Sequence, residues 1–237
     1  MTASWEAIVM LLIGVLLLWG WRTLLRAADA ARVVDWGRGW LNVLDGLNRL
    51  FCHRYHRLRL HRLRLPKAGA ALVVANHVSG LDPLLMLAIS PRPLRFIIAR
   101  EQYDRWWLRW LFRAVGCIPV ERSASAHAAL SAARRALAAG EVVALFPFGG
   151  IHLEHAAPTR LRRGIVHLAK TSGAPVYALR LTGIRGVGRT LSAVFERSRA
   201  KVTRFPALYC DERKPDTLPV ELTARLTGRS SNELPTK

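Results

Sequence analysis

The chain has 237 residues, enough for one domain with an appended segment and for a sizeable hydrophobic core. Its 36 Lys and Arg residues outnumber 16 Asp and Glu residues, so the net charge of +20 indicates a polyanionic partner, either nucleic acid or anionic lipid. Three cysteines at unrelated spacings argue against a disulfide framework and against a metal site, and they indicate reduced thiols.

The N-terminal segment favours lipid as the partner. Residues 7–21 carry no charge, and tryptophans stand near both ends of this run. The run is shorter than the ~20 residues of a full span, so we expect it either to cross a bilayer or to insert partway. Arginines follow from Arg22 onward, and the positive-inside bias places the rest of the chain in the cytoplasm. A cleaved signal peptide is disfavoured, because residues 1–6 contain no Lys or Arg.

Two further patterns follow the apolar run. Residues 24–51 have apolar side chains at spacings of three and four, which predicts an amphipathic helix, either in the membrane interface or on the core. In residues 54–65 basic residues alternate with leucines, which predicts a strand with a basic face, either against anionic head groups or in solvent. We therefore assign residues 1–53 to a membrane-associated helical segment, 54–210 to the main domain and 211–237 to a weakly ordered tail.

Short apolar runs alternate with helical segments through the main domain. Buried strands are predicted at 72–75, 94–99, 141–147 and 176–181, with edge strands within 190–205. Helices are predicted at 84–89, 103–115 and 124–139, and another follows the basic loop 160–164. This alternation indicates an α/β fold in which a mixed sheet is flanked by helices and preceded by the N-terminal helical segment.

The first predicted strand runs directly into Asn76, His77 and a loop that contains Asp82. The packed strand fixes the backbone, and Asp82 is close enough along the chain to accept a hydrogen bond from the imidazole. That bond would set the tautomer and leave the other ring nitrogen to take a proton from a hydroxyl group. The pattern therefore predicts a general base at His77 that Asp82 orients. A histidine that only caps the strand or lies in solvent is the alternative.

Four segments in this order resemble the glycerolipid acyltransferase family, best known from 1-acylglycerol-3-phosphate acyltransferases. They are Asn76-His77 with Asp82 after four intervening residues, Gly116-x-Ile118-x-x-x-Arg122, Phe146-Pro147-Phe148-Gly149-Gly150-Ile151, and Pro175 before an apolar strand. The third segment departs from the usual Phe-Pro-Glu-Gly-Thr-Arg, because it lacks both the Glu and the Arg. The likeness covers roughly residues 55–205.

The resemblance implies transfer of a fatty acyl group from acyl-CoA or acyl carrier protein to the hydroxyl of a lysolipid, with 1-acylglycerol-3-phosphate as the first choice. In this scheme His77 is the base and Asp82 its orienting partner, with no covalent acyl-enzyme at Ser79, no metal and no cofactor besides the acyl donor. The candidate substrate-binding residues are Asn76, Arg122, Phe148, Gly149, Gly150, Arg162 and Arg163.

The candidate roles of these residues follow from their chemistry. Backbone N–H groups of the turn at 148–150 could stabilise the tetrahedral oxyanion, and Arg122 could bind a lysolipid phosphate through two parallel hydrogen bonds. Because the third motif lacks its arginine, either Arg160, Arg162 or Arg163 substitutes for it, or the acceptor carries another head group. Another lysophospholipid and an amino-acid lipid both stay open as acceptors.

Two functions of other classes compete with this one. The first is a lipid-binding protein that has lost turnover together with its third motif, and the intact His77 and Asp82 argue against it. The second is nucleic-acid binding, which rests on charge alone, since the sequence contains no recognisable binding motif. The apolar N-terminus also argues against nucleic acid, so we expect lipid partners.

Overall fold

The structure of the protein is a computed structural model that describes residues 2–121, 126–151, 161–211 and 217–228. In chain order the elements are α1 (Thr2–Ala31), α2 (Gly39–Leu50), a π-helical turn (Phe51–Tyr55), β1 (Ala71–Ala75), α3 (Asp82–Ile89), β2 (Leu94–Ala99), α4 (Arg100–Tyr103), α5 (Arg109–Ala114), β3 (Ile118–Val120), α6 (His127–Ala138), β4 (Val142–Leu145), α7 (Arg163–Ser172), β5 (Val176–Thr182), α8 (Ser192–Phe195), β6 (Lys201–Arg204) and α9 (Thr217–Thr227).

Six strands of the described chain form one sheet in the order β3-β2-β4-β1-β5-β6. The strands from β3 to β5 are parallel, and β6 pairs antiparallel with β5 at the edge. The predicted α/β fold with a mixed sheet flanked by helices is therefore confirmed. β1 lies at the centre and all five of its residues are buried, as expected for a parallel strand that is covered on both faces.

Two hydrophobic layers cover the two faces of the sheet. Val73 and Ala75 point into the first layer, which contains α3 and the irregular segment before β1. Leu72 and Val74 point into the second layer, which contains α6, α7 and α9. Successive side chains of a strand point to opposite faces, so β1 anchors both layers at once.

The prediction of a basic strand over residues 54–65 is wrong. The π-helical turn occupies the start of this segment, Arg57 adopts a φ of 52°, and no strand follows before β1. Leu58 and Leu63 are each 3% exposed and pack into the first layer. The alternation of leucine and arginine therefore reflects an irregular extended segment that buries its leucines without pairing into the sheet.

The predictions for two other segments also need correction. The chain from residue 211 on was expected to be weakly ordered, but it contains α9, whose Leu218, Leu222 and Leu226 are buried in the second layer. The spacing of four places these leucines on one helical face, which packs against the core. The helix predicted at 103–115 is divided into α4 and α5 by turns.

The N-terminal segment contains two helices rather than one continuous amphipathic helix over 24–51. From Trp5 to Ala31, α1 is long and apolar enough to cross a membrane by length and composition, and none of its most apolar stretch is buried. α2 crosses α1 where Gly46 lies against the backbone of Ala28, so closely that a Cβ atom at Gly46 would overlap the Ala28 carbonyl. The domain boundary at residues 53 and 54 stays a prediction.

A buried ion pair within α2 is hydrogen-bonded to the end of α3. Arg49 and Asp45 are 3% and 6% exposed, and the Arg49 Nε lies 2.7 Å from the Asp45 Oδ2. The Arg49 guanidinium also donates to the carbonyls of Ala88 and Ser90, both at 2.7 Å, where α3 ends. The charge is therefore paired on one side and hydrogen-bonded to a helix C-terminus on the other, which offsets the cost of burying it.

His56 is a second buried polar group, and it lies just after the π-helical turn. Its ring is 0% exposed and contacts Phe51 and Tyr55 edge-on, and its Nε2 lies 3.0 Å from the Val194 carbonyl oxygen. Its Nδ1 is buried and has no hydrogen-bond partner among the described residues. Burial lowers the pKa of His56 from its ordinary value of 6.5, and the hydrogen bond to Val194 opposes this effect only in part.

We expect Asp45→Ala to lower the free energy of unfolding by about 3–5 kcal/mol, because it leaves the Arg49 charge buried without its partner. The matched control is Asp29→Ala, which breaks the exposed pair between Asp29 and Arg32 and should cost less than about 1 kcal/mol. Both values come from thermal and chemical unfolding of the purified chain in detergent. Equal losses in the two variants would contradict the buried-charge interpretation.

We expect the fold to lose stability as the pH falls through 6.5, because the unfolded chain then binds a proton that folded His56 resists. The stability that neutral His56 contributes is fully present above this pH, and one such group changes it by at most about 1.4 kcal/mol per pH unit. His56→Gln keeps a donor for Val194 but does not titrate. Unfolding midpoints between pH 7.5 and 5.5 should therefore change less in this variant than in the parent chain, and identical slopes would contradict the expectation.

Candidate active site

The candidate site lies at the edge of the sheet where the parallel strands β1 and β4 end. Val74 of β1 is in register with Leu145 of β4, and each strand continues into a loop at the same edge. Because the carboxyl ends of neighbouring parallel strands meet at one edge, His77 and Phe146 come together there. The imidazole stacks on the Phe146 ring, with centroids 4.0 Å apart and planes 14° apart. Phe146 therefore gives the imidazole an apolar support.

Asp82 is the acceptor that organises the loop after β1. Its Oδ2 atom accepts hydrogen bonds from Nδ1 of His77 at 2.8 Å, from the Val78 N–H at 2.6 Å and from the Ser79 N–H at 2.9 Å. The carboxylate is 0% exposed and stands in the first turn of α3. Three N–H donors and the positive end of the helix dipole together compensate the burial of its negative charge.

Ser79 supports the carboxylate from its other side. The Ser79 hydroxyl donates to Oδ1 of Asp82 at 3.2 Å and accepts from the Leu81 N–H at 3.2 Å. Ser79 is 0% exposed, so its oxygen lies beyond the reach of a substrate. This placement agrees with the expectation that Ser79 is not a nucleophile.

The geometry fixes which nitrogen of His77 can accept a proton. An ionised carboxylate has no hydrogen to donate, so the ring must be the donor in this hydrogen bond. Nδ1 therefore carries the hydrogen and Nε2 keeps its lone pair. The His77 side chain is 18% exposed, whereas Asp82 is fully buried. The buried carboxylate can therefore stabilise an imidazolium on a ring that is partly exposed.

Asn76 links the site loop to β5. Its side-chain amide donates to the Leu181 carbonyl at 2.9 Å, and its Oδ1 accepts from the Leu181 N–H at 2.7 Å. These two side-chain hydrogen bonds extend the contact between β1 and β5 beyond the last backbone pair of the two strands. We therefore assign Asn76 a positioning contact, and its predicted contact with substrate stays a prediction.

The turn after β4 carries the divergent third motif. Phe148 is 8% exposed, and its side chain packs into the second hydrophobic layer, whereas Phe146 packs on the first. The Phe148 side chain therefore packs in the layer opposite to the one that holds Phe146 and His77, and its predicted contact with substrate stays a prediction. The Gly149 N–H donates to the Phe146 carbonyl at 3.1 Å, so it closes the turn and is not available to an oxyanion.

Arg162 lies against this turn. Its backbone N–H donates to the Pro147 carbonyl at 2.9 Å, and its guanidinium packs over Gly149, where a Cβ atom would overlap it. Gly149 also has a φ of +81°, a backbone conformation that favours glycine. The structure thus brings together two of the predicted residues, Gly149 and Arg162, beside Phe146.

The remaining predicted site residues are placed less closely or not at all. Gly150 follows Gly149 in the turn and is partly exposed. Arg163 begins α7 and is exposed. Arg122 and Arg160 lie outside the residues that the structure describes. The predicted roles of these residues stay predictions.

The structure also adds residues that sequence patterns did not identify. The segment after β5 packs under the His77 loop: the Gly80 N–H donates to the Arg189 carbonyl at 3.0 Å, and the Gly188 N–H donates to the Val78 carbonyl at 2.8 Å. Only the glycines at 186 and 188 hinted at a tight turn there, and nothing in the sequence indicated its partner. In the described part of the chain, no group of three or more His, Cys, Asp or Glu side chains is placed to hold a metal ion.

Comparisons with known proteins bear on this site. A family model described as Acyltransferase matches residues 57–182. A probable 1-acyl-sn-glycerol-3-phosphate acyltransferase of Mycoplasma pneumoniae is 27% identical over 124 residues, which cover 49% of this chain and 46% of that protein. A 1-acyl-sn-glycerol-3-phosphate acyltransferase of Bacillus subtilis is 23% identical over 113 residues, which cover 47% of this chain and 55% of that protein. The chain thus matches about half the length of these curated relatives.

A solved structure has the same fold. It is the 1-acyl-sn-glycerophosphate acyltransferase PlsC from Thermotoga maritima, with a TM-score of 0.59, 18% identity and 83% of each chain covered. The family match extends from the irregular segment before β1 to the end of β5, so it includes the paired His77 and Asp82 and the turn after β4. Because this match covers more than half of the 237 residues, the chain belongs to the Acyltransferase family.

Proposed function

We propose that this protein is a membrane-bound O-acyltransferase that moves a fatty acyl group from a thioester to the hydroxyl of a lysolipid. The observation that carries the proposal is the 2.8 Å hydrogen bond from Nδ1 of His77 to buried Asp82, which supports Nε2 of this partly exposed ring as the base. The names of the curated relatives support the same reaction class.

In the proposed reaction, Nε2 of His77 takes the proton of the acceptor hydroxyl while the oxygen attacks the thioester carbonyl. An alcohol is a poor nucleophile unless its proton is removed as the new bond forms, and a positioned imidazole contributes roughly 100- to 10,000-fold to such a step. The tetrahedral intermediate then expels the thiolate, which receives the proton from the imidazolium. Asp82 stabilises the imidazolium between the two proton transfers. The products are the diacyl lipid and the free thiol carrier.

The oxyanion and the acceptor need groups that hold negative charge. The backbone N–H group of Gly150 is the candidate for the oxyanion, since the Gly149 N–H is used within the turn. Arg162 is the described arginine that packs on this turn, and it is our candidate for the acceptor phosphate. Arg122 remains a candidate on the grounds of the second motif.

The acceptor that we propose first is 1-acylglycerol-3-phosphate, giving phosphatidic acid. The buried Phe148 and the neighbouring Ile151 replace the acid and the arginine that the family usually has in its third motif, so an acceptor with another head group is the alternative. Acyl-CoA and acyl carrier protein are both candidate donors, and the proposed reaction needs no other cofactor.

We further propose that α1 holds the protein at the membrane with its catalytic domain on the cytoplasmic face. The exposed apolar surface of α1 supports the attachment, and the arginines that follow the apolar run support the orientation. A lysolipid with a long acyl chain resides in the bilayer, so an enzyme fixed at its surface meets this substrate without having to extract it from a distance.

The test is acylation by the full purified chain in detergent, with acyl-CoA or acyl carrier protein as donor and a panel of lysolipids as acceptors. We expect 1-acylglycerol-3-phosphate to react fastest, and we expect His77→Ala to lower kcat roughly 100-fold or more. Fastest reaction with another lysolipid would change the acceptor but keep the reaction class. A chain that acylates no member of the panel, or a His77→Ala variant with full activity, would overturn the proposal.

Asp82→Asn tests the role of the negative charge, because the asparagine oxygen can keep the three hydrogen bonds of Oδ2. We expect kcat to fall roughly 100-fold or more while KM changes little, since the imidazolium loses its stabilising charge. The control is Ser79→Ala, which removes the hydroxyl that donates to Oδ1 and accepts from the Leu81 N–H but keeps the carboxylate charge, and it should stay within about tenfold of the parent chain. Equal effects of the two variants would contradict a specific role for the carboxylate charge.

A further inference from the structure

The loop between β5 and β6, residues 183–200, exposes large apolar side chains beside the candidate active site. Phe195 is 75% exposed, Leu191 is 49% exposed and Val187 is 39% exposed. Leu191 precedes the short helix α8 and Phe195 ends it. Three large apolar side chains that are exposed on one short loop favour an interaction surface there.

The same loop is strongly basic. It contains four arginines and one glutamate, and all four arginines are exposed: Arg185, Arg189, Arg197 and Arg199. Glu196 pairs with Arg189 at 2.8 Å, so the loop keeps a positive surplus around its apolar side chains. Apolar side chains flanked by arginines match the layered chemistry of an anionic bilayer surface, where head groups lie above acyl chains.

Two contacts join this loop to the end of the N-terminal helical segment. The Tyr55 hydroxyl donates to the Phe195 carbonyl at 2.5 Å, and Nε2 of His56 lies 3.0 Å from the Val194 carbonyl. Tyr55 ends the π-helical turn that continues α2, His56 follows it, and α2 itself packs on the exposed apolar helix α1. Hydrogen bonds therefore connect this loop, through the turn and α2, to the helix that is most suited to a membrane, which favours a bilayer over an acidic carrier protein.

The loop also lies directly under the residues that hold His77. Its backbone exchanges hydrogen bonds with Val78 and Gly80, and the Thr190 carbonyl approaches Gly80 so closely that a Cβ atom there would overlap it. Any partner that fixes the position of the loop therefore also fixes the position of the His77 loop.

We propose that the β5–β6 loop is a second membrane-docking element, separate from α1, which inserts Phe195 and Leu191 into the surface of an anionic bilayer. Docking at this point places the His77 loop at the level of the head groups. The consequence for lysolipid delivery rests on the proposed acyltransferase function, but the insertion itself does not.

Insertion is tested with an environment-sensitive fluorophore on Phe195→Cys in the full-length chain. Cys210→Ser removes the partly exposed native thiol, whereas Cys52 and Cys117 are buried and burial raises the pKa of each thiol to about 12, so neither reacts readily. The matched control is the same label on Ala138→Cys, an exposed position on α6. Both proteins are reconstituted into vesicles that contain phosphatidylglycerol.

We expect lipids with a quencher on the acyl chain to quench the label at 195 and not the label at 138. Aqueous iodide should quench the label at 138 more than the label at 195. A label at 195 that stays as accessible to iodide as the label at 138 would overturn the proposal. Protection of the label at 195 by acyl carrier protein, without protection by lipid, would also overturn it and assign the surface to a protein partner. None of these readouts depends on turnover, so failure of the proposed function would be seen separately.

A kinetic experiment tests whether membrane docking of the loop helps to deliver the lysolipid to the site. We expect the double variant Phe195→Ser and Leu191→Ser to raise KM for a vesicle-borne lysolipid about tenfold or more, because each apolar side chain contributes to insertion. Activity on a short-chain lysolipid dissolved as monomers should stay at the parent level, since neither side chain belongs to the catalytic machinery. Equal losses on both substrates would overturn the delivery role.

Discussion

A single carboxylate oxygen, Oδ2 of Asp82, holds the candidate site together. It binds the imidazole of His77 and two backbone N–H groups of the same loop, and it does so from the first turn of a helix. Each contact compensates part of the cost of burying the charge, and together they give the loop one conformation. The loop has no regular secondary structure of its own, so without this acceptor neither the ring orientation nor the start of α3 would be defined.

The rest of the sheet edge adds rigidity to this arrangement. Asn76 holds the end of β1 to β5 through its side chain, and Phe146 supports the imidazole from the end of β4. The central strand and both of its neighbours therefore contribute to positioning His77. An imidazole that is fixed from three directions keeps one orientation without further reorganisation. The His77 side chain is 18% exposed, which limits its contact with water.

Sequence patterns captured the parts of this structure that are encoded locally. β2 coincides with the predicted strand 94–99, and the contact of His77 with Asp82 spans only five positions of the chain. The prediction of a strand at 54–65 was wrong because alternating leucines and basic residues fit a paired strand and also an unpaired extended segment that buries its leucines. The sequence did not indicate that Phe148 is buried, because the motif predicts a turn but not the direction of each side chain in it. The β5–β6 loop was missed because its contacts with the His77 loop connect distant parts of the chain.

The C-terminal end of α3, the helix that begins with Asp82, is also held in place. There Arg49 donates to the carbonyls of Ala88 and Ser90, and Arg49 belongs to α2, which forms a helical hairpin with α1. A helix of eight residues is about 12 Å long, so α3 acts as a strut of fixed length between the hairpin and the carboxylate. With α1 in the bilayer as proposed, this strut sets the distance along α3 between the membrane-attached hairpin and the His77 loop, and a change of one helical turn in its length would change that distance by about 5 Å.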